Sequence, residues 1–400
     1  MRKLSFFVHV LMLPALLLTG CEGFWGTKTD TEFLDEPVFD NETFAYVPIQ
    51  PVWDELTEPV DIIAGWDELM YVADAGSEEI VAYDQAGNEQ GRYPIPGLTS
   101  IAQDRRLDIL ATGTLDTVIN GNALTLSAIY RLDLNKRGPY GLNNASIKGK
   151  IIHPFYFKTG TPNASDAAVR LTGIAPLADN RYYVSRQGPS NNPNQFGGPD
   201  NSVLFFSEAD EFVTPVVVNT TIGLFRDYFK TPVSIASIAQ PPQSPLVDNL
   251  TGDFLFAGQD ENAVLKVQKI LRSEDDFGVS YSVADLASID TSKASGFLLS
   301  PFKFSRPADV TFAGDRTRYM FVVDAEKDSL FQFNANGLEG INPPGGSSFT
   351  KNIKVSFGGT GTGLRQFSQP SGVAYLNEIV YVADAGNGRV LRFKLTSDFD

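Results

Sequence analysis

A single cysteine and two histidines serve a chain of 400 residues. One thiol closes no intramolecular disulfide, so packing alone must hold the fold. His9 lies in the apolar leader, which leaves His153 as the one histidine of a mature chain. Histidine zinc sites, which need two or three such ligands, are thereby excluded. Cations are scarce as well. With 32 Lys and Arg against 48 Asp and Glu, the net charge is −16, and such a surface repels phosphate backbones and disfavours nucleic-acid partners. Beyond Leu18 no run reaches the ~18 apolar residues of a spanning helix. What is plentiful is apolar and aromatic residues, 42% and 12% of the chain, enough for a large core. Gly and Pro are scattered through turns rather than gathered in runs, a pattern that suits many short strands.

The leader explains the lone cysteine. Arg2 and Lys3 precede an apolar run over residues 4–18, followed by Leu18-Thr19-Gly20-Cys21. A charged start, a short apolar stretch and small residues make residues 1–20 a secretory signal, too short to span. The "LTGC" sequence resembles the lipobox of bacterial lipoproteins, which implies cleavage before Cys21 and lipidation of its amino terminus. Loss of Arg2 and Lys3 takes the net charge from −16 to −18. Residues 21–43 read as an acidic tether. Each buried CH₂ contributes about 0.8 kcal/mol, so two or three acyl chains anchor stably where one does not. Glu22 stands where the resemblance would place an inner-membrane retention aspartate. The expected location is therefore the bacterial envelope, at the outer membrane, facing the periplasm or the surface.

The rest of the chain repeats itself. "YVADAGSEEIVAY" at residues 71–83 aligns without a gap to "YVADAGNGRVLRF" at 381–393. Each is a β-branched, apolar strand, a turn rich in Asp and Gly, and a second strand. Weaker copies start at Arg106, Arg181, Asp253 and Tyr319, and each is preceded by another short apolar strand. In those preceding strands one column reads Asp61, Ser100, Gly173, Ser237, Asp309, Gly372. The next reads Ile62, Ile101, Ile174, Ile238, Val310, Val373, and the one after it Ile63, Ala102, Ala175, Ala239, Thr311, Ala374. Four short strands per unit, at an irregular period of about 40 to 70 residues, predict an all-β, six-bladed β-propeller over residues 44–400.

"FGGTGTGLRQFSQPSGVAYLNEIVYVADAGNGRVLRF" (residues 357–393) resembles the NHL repeat, and "SRPADVTFAGDRTRYMFVVDAEKDSLFQF" does so less closely. The resemblance is specific in the first, fifth and sixth units and faint in the middle three. It implies the fold and leaves function to the sites. NHL-type relatives include a zinc-dependent amidating lyase, which one histidine does not support. Some six-bladed lactonases hold a divalent cation with Glu, Asn and Asp, and oxygen ligands of that kind suit calcium or magnesium. No spacing here singles out such a set, so no catalytic or metal-binding residue is assigned.

Single residues add little catalytic signal. His153 in "KIIHPFYF" is expected to be packed. Asp74, Asp324 and Asp384 end a strand before a turn, where Asp accepts backbone N–H groups two residues on. The same position is read as Thr112, Arg186 and Gly258 in the middle units. "DNLTGD" (248–253) reads as a hairpin turn rather than a calcium loop. The aromatics of "LFRDYFK" (224–230) read equally as a stacking surface or as core.

Two expectations concern the ends and the turns. Only residues 395–400 follow the last strand, too few for a turn and a strand of ~5–6 residues. "FAYVPI" (44–49) is therefore expected to supply the fourth strand of the last blade. In four units the turn between second and third strands has five residues, 75–79, 259–263, 325–329 and 385–389. In the second and third units it has sixteen, 113–128 and 187–202, and all these turns share one face. Loops elaborated on one sector of a scaffold are where recognition concentrates. Asn120, Asn122, Asn191, Asn192, Asn194 and Gln195 offer paired donors and acceptors there. Phe196 offers a stacking plane, and Arg186 at the loop root a bidentate donor for carboxylate or phosphate. The expected function is a binding or scaffold module for a protein, peptide or glycan, without a cofactor. A cation-dependent hydrolase or lactonase, using calcium or magnesium, is the alternative.

Overall fold

Short runs of β-branched and aromatic residues, cut by Asp, Asn and Gly turns, form strands in sets of four. The computed structural model describes residues 44–154, 164–189, 202–220, 223–225, 228–238, 252–276, 278–284, 289–345 and 349–399. Cys21, the tether, the 248–251 part of "DNLTGD" and the run Asn191, Asn192, Asn194, Gln195 and Phe196 lie outside the described residues.

Six sheets follow in chain order, each with antiparallel neighbours in its four-stranded core. Blade 1 comprises Pro59–Ala64, Met70–Asp74, Glu79–Tyr83 and Glu89–Pro94, from the central channel outward. Blade 2 comprises Ser100–Gln103, Ile109–Ile119, Asn122–Asp133 and Ser146–Ile152, and blade 3 Arg170–Pro176, Tyr182–Gln187, Ser202–Phe206 and Phe212–Pro215. Blade 4 has Pro232–Ser237, Phe254–Gly258, Val267–Asp275 and Gly278–Val283. On its outer edge Val218–Thr220 pairs parallel to Gly278–Val283 and antiparallel to Gly223–Phe225. Blade 5 has Pro307–Phe312, Met320–Asp324, Ser329–Phe333 and Phe357–Gly358.

Blade 6 is assembled from both ends of the chain. Pro370–Leu376, Ile379–Asp384 and Arg389–Leu395 are completed by Tyr46–Trp53, with Tyr46 opposite Leu395 and Ile49 opposite Arg392. This is the closure expected from residues 44–49, and the strand runs on through a register shift to pair Trp53 with Val390.

Each second strand is sandwiched between neighbouring blades, which is why it is apolar on both faces. Met70 and Val72 pack toward blade 6, whereas Tyr71 and Ala73 pack toward blade 2. Among the described residues six apolar clusters result, one per interface between blades. Each large side chain fully buried there contributes about 1.5–3 kcal/mol. Phe229 of "LFRDYFK" belongs to the cluster between blades 3 and 4, so that aromatic is core.

The strand pairing corrects the sequence reading in blades 4 and 2. Residues 234–239 read SIASIA, a tripeptide written twice, and both frames fit the Ile column. The ladder selects the first: Ser234 lies opposite Ala257, as Asp61 lies opposite Ala73 and Asp309 opposite Val323. The inner column is therefore Asp61, Ser100, Gly173, Ser234, Asp309, Gly372. In blade 2, Ser100 pairs with Thr112, so Gly113 rather than Thr112 is the counterpart of Asp74. The backbone agrees. Thr114 N donates to Pro96 O at 2.8 Å, as Ala75 N does to Glu58 O and Ala325 N to Arg306 O, both at 2.9 Å.

Candidate functional site

The inner strands begin with a bulge in five blades, at Val60, Thr172, Val233, Ala308 and Ser371. Thr99 adjoins the inner strand of blade 2. Where this position carries a hydroxyl, it reaches the next blade. Thr99 Oγ1 donates to Leu171 O at 2.9 Å, Thr172 Oγ1 to Pro232 O at 2.7 Å and Ser371 Oγ to Pro59 O at 2.5 Å. Where Val or Ala stands instead, the inner column or a glutamine substitutes. Asp61 Oδ2 accepts Ser100 Oγ at 2.7 Å and Ile101 N at 2.9 Å. Asp309 accepts Ser234 Oγ on Oδ1 at 2.5 Å and Val373 N on Oδ2 at 2.7 Å. Gln259 Nε2 donates to Pro307 O at 2.9 Å. Every junction of the ring thus carries a polar tie at the channel.

These ties leave little room. The channel cavity is about 80 Å³, space for two or three waters at ~30 Å³ each. Both carboxyls are displaced upward in pKa. Burial raises Asp61 against the hydrogen bonds from Ile101, Ser100 and Ile62. Burial, reinforced by the charge of Asp61, pushes Asp309 well above the usual carboxylate range. Among the described residues no group of three or more His, Cys, Asp or Glu comes together in a way that could hold a metal ion.

The repeated strand-end aspartates are turn formers, and they also clamp the segment entering their own blade. Asp74 accepts Thr57 N at 2.9 Å and Glu58 N at 2.6 Å. Asp324 accepts Ser305 N and Arg306 N, together with Glu326 N two residues on. Asp384 accepts Ser368 N at 2.6 Å and Arg389 Nε at 2.8 Å. Glycine at the corresponding sites is steric. A Cβ on Gly113 or Gly258 would stand 2.5 Å from the carbonyl oxygen of Pro96 or Lys230.

Of the residues expected to bind a ligand, Asn120 and Asn122 sit together at a hairpin tip. Residues 113–128 are not a loop: the ladder between the two long strands of blade 2 is unbroken from Ile109–Leu132 to Ile119–Asn122. Asn120 and Gly121, at φ 50° and 80°, form the turn, and Asn-Gly between alternating apolar residues was the available signal. The ribbon extends about 20 Å past its blade, at ~3.3 Å per residue over six residues. Near its root Tyr130 Oη donates to Thr114 O. At its far end Val118 is 69% exposed. Arg186 is fully buried, and its guanidinium donates to Gly188 O at 3.2 Å and Pro189 O at 2.8 Å, the backbone of its own loop. His153 is packed as expected, bonded to the carbonyls of Pro154 and Asp166, and burial lowers its pKa.

Sequence reasoning placed Asp61 and Asp309 in the right column without giving them a task. The signal was an acid among Ser and Gly, with Thr or Ser preceding that column in three other blades.

Residues 367–393, in blade 6, match the family model described as NHL repeat. No curated protein matches the sequence. Among solved structures, a structural genomics protein from Bacteroides thetaiotaomicron is similar at 11% identity and a TM-score of 0.50, over 88% of this chain and 76% of that one. An auxiliary nutrient binding protein from the same organism is similar at 11% identity and a TM-score of 0.48, over 85% and 69%. A gluconolactonase from Xanthomonas campestris is similar at 10% and 0.47, over 86% and 87%. At these identities the likeness is one of fold alone. The chain is a six-bladed β-propeller with an NHL repeat in its last blade.

Proposed function

We propose that this protein is a binding module, anchored through a lipidated Cys21 at the bacterial outer membrane, that engages a protein, peptide or glycan on the face bearing the blade 2 ribbon. The observation that carries this reading is the ribbon itself. A two-stranded arm that projects past its neighbours offers exposed backbone and side chains on a rigid base. The third-blade insertion, with Asn191, Asn192, Asn194, Gln195 and Phe196, lies beside it in chain order and supplies further polar and aromatic groups. Arg186 acts as a positioning residue at the root of that insertion.

The ties at the channel weigh against the cation-dependent hydrolase. Asp309 commits both carboxylate oxygens to Ser234 and Val373, and Asp61 commits Oδ2 to Ser100 and Ile101.

The test compares intact protein with two variants in native envelopes. One has the ribbon cut back, joining Thr114 to Ser127 through Asn-Gly; the other has residues 190–201 replaced by a short turn. Crosslinking should give one specific adduct in the intact protein and lose it in at least one folded variant. An unchanged adduct in both, or calcium- or magnesium-dependent lactone hydrolysis by the intact protein, would overturn the proposal. Cys21→Ser should leave an uncleaved, unlipidated precursor; a variant that still matures normally and partitions with membranes defeats the anchor.

A further inference from the structure

The ribbon of blade 2 has a long edge on which main-chain groups stand without partners. At its root that edge is closed. Thr99 N donates to Thr112 O at 2.9 Å, Thr114 N donates to Pro96 O at 2.8 Å, and Thr114 O accepts the Tyr130 hydroxyl. In an antiparallel strand the N–H and C=O of alternate residues turn to the same side. Asp116 and Val118 therefore direct theirs outward on this edge, as Thr112 and Thr114 do. Neither has a main-chain partner there among the described residues, and both are exposed.

This edge lacks the devices that close a sheet to strangers. Residues 114–119 contain no proline and no lysine, and the ladder from Thr114–Ser127 to Ile119–Asn122 has no bulge. The same molecule guards its other edges. Val218–Thr220 and Gly223–Phe225 cover blade 4, and the outer strand of blade 6 carries Pro48 and Pro51.

Residues opposite each other in the ladder share a face. Leu115 with Leu126, Thr117 with Leu124 and Ile119 with Asn122 make one face largely aliphatic. The other face carries Asp116 with Thr125 and Val118 with Ala123. Asp116 is the one charge between Thr114 and Ser127. Its Oδ1 accepts Thr125 Oγ1 at 2.7 Å, and its Oδ2 has no partner among the described residues. A second carboxylate stands at the root: exposed Glu78 accepts the N–H of Gly97 at 2.9 Å, and Gly97 lies against Thr114.

We infer that the edge Thr114–Ile119 takes up an extended segment of another protein as an added strand. The segment hydrogen-bonds to the main chain of Asp116 and Val118 and carries Lys or Arg opposite Asp116. This rests on the ribbon being the binding element, as proposed above, and names what it binds. A row of N–H and C=O groups at the strand repeat selects a peptide main chain over a glycan. Two carboxylates and a net charge of −16 select a basic segment and disfavour a second copy of this chain. The ribbon also sets the pattern of the segment: apolar side chains beside Leu115 and Ile119, the cation on the opposite face.

The experiment titrates the full chain with a six-residue alternating Thr/Val strand bearing one central lysine and with its glutamate counterpart. Two further forms of the lysine strand are N-methylated at one or the other set of alternate residues. The lysine strand should bind saturably and about fivefold more tightly than the glutamate strand, the upper end for one exposed ion pair. One N-methylated form should lose binding and the other keep it. Amide exchange at Asp116 and Val118 should slow, while Leu115 and Thr117, already in the ladder, stay unchanged. Val118→Pro removes one outward donor and no ladder bond, and should abolish binding. Asp116→Lys should reverse the preference between the two strands. Lack of saturable binding by both strands, equal binding of the two N-methylated forms, or indifference to Val118→Pro in folded protein would overturn the inference. So would self-association of the free chain that Val118→Pro abolishes, since it gives the edge to a second copy. The envelope crosslink keeps the two readings apart. An adduct lost when the ribbon is cut but kept in Val118→Pro defeats strand addition alone, and one that survives the cut removes the reading on which it rests.

Discussion

Ala45 and Thr396 hold each other from opposite ends of the chain. Ala45 N donates to Thr396 Oγ1 at 3.1 Å, and Thr396 N donates back to Ala45 O at 2.9 Å. This reciprocal pair begins the ladder that closes the ring. Behind it Tyr46, Val47 and Trp53 are buried, and Trp53 stacks on Tyr83 of blade 1 at 4.6 Å. Deleting residues 22–50 should therefore lower the melting temperature by about 10 °C, since a buried aromatic alone carries 3–5 kcal/mol. Deleting residues 22–40 should leave it within a degree or two of the intact chain. Circular dichroism melts decide, and equal melting of the two truncations contradicts the closure.

The pair Asp61 and Asp309 sets a pH dependence. Asp309 has its folded pKa raised by burial and by the charge of Asp61. Its contribution to stability is then fully present below the unfolded carboxyl pKa, about 4, and is lost as pH rises through the folded value. Asp309→Asn keeps one acceptor and removes the charge. It should stabilise the protein at pH 7, by about 1 kcal/mol for each unit of raised pKa, and make little difference near pH 4. Urea unfolding at both pH values tests this, and a larger gain at pH 4 than at pH 7 would contradict it.

The strand-end position tolerates Asp or Gly for opposite reasons. Asp384→Ala strips acceptors from Ser368 N and from the mostly buried Arg389, and should cost about 3 kcal/mol. Gly258→Ala drives a methyl to 2.5 Å from Lys230 O and should cost about 1–3 kcal/mol. Denaturant midpoints measure both. If Gly258→Ala is neutral, the steric account of that glycine fails.

The hydroxyl ties at the channel are separate, so their losses should add. Thr99→Val, Thr172→Val and Ser371→Ala should each cost about 1 kcal/mol, and the triple variant about three times as much. Thr172→Val should cost least, because Gln187 Nε2 also donates to Pro232 O at that junction, at 2.7 Å. A strongly non-additive triple variant would mean the ring deforms as one body.

The fold was legible because its most repeated element, the second strand, is buried on both faces and mostly apolar in each blade. The closure was legible because three strands were found for the last blade while residues 44–49 read as a strand without a place. Register was weaker evidence where sequence repeats on a short scale: SIASIA satisfies the inner column in two frames, and only the partner strand chooses. The short strands Val218–Thr220 and Gly223–Phe225 gave no periodic signal, since three residues of edge strand carry no alternation. The ribbon was hidden by its length.

The ring's closure also fixes an order of events in time. The strand Tyr46–Trp53 is synthesised well before its hydrogen-bonding partner, Arg389–Leu395. At 5–20 residues per second the early strand waits on the order of half a minute with its edge unpaired. Until that partner is available, "YVPIQPVW" is an unpaired β strand. The two prolines it carries, Pro48 and Pro51, each remove a backbone donor from that edge. They make the waiting strand a poor template for a neighbouring nascent chain and leave it able to join its own sixth blade.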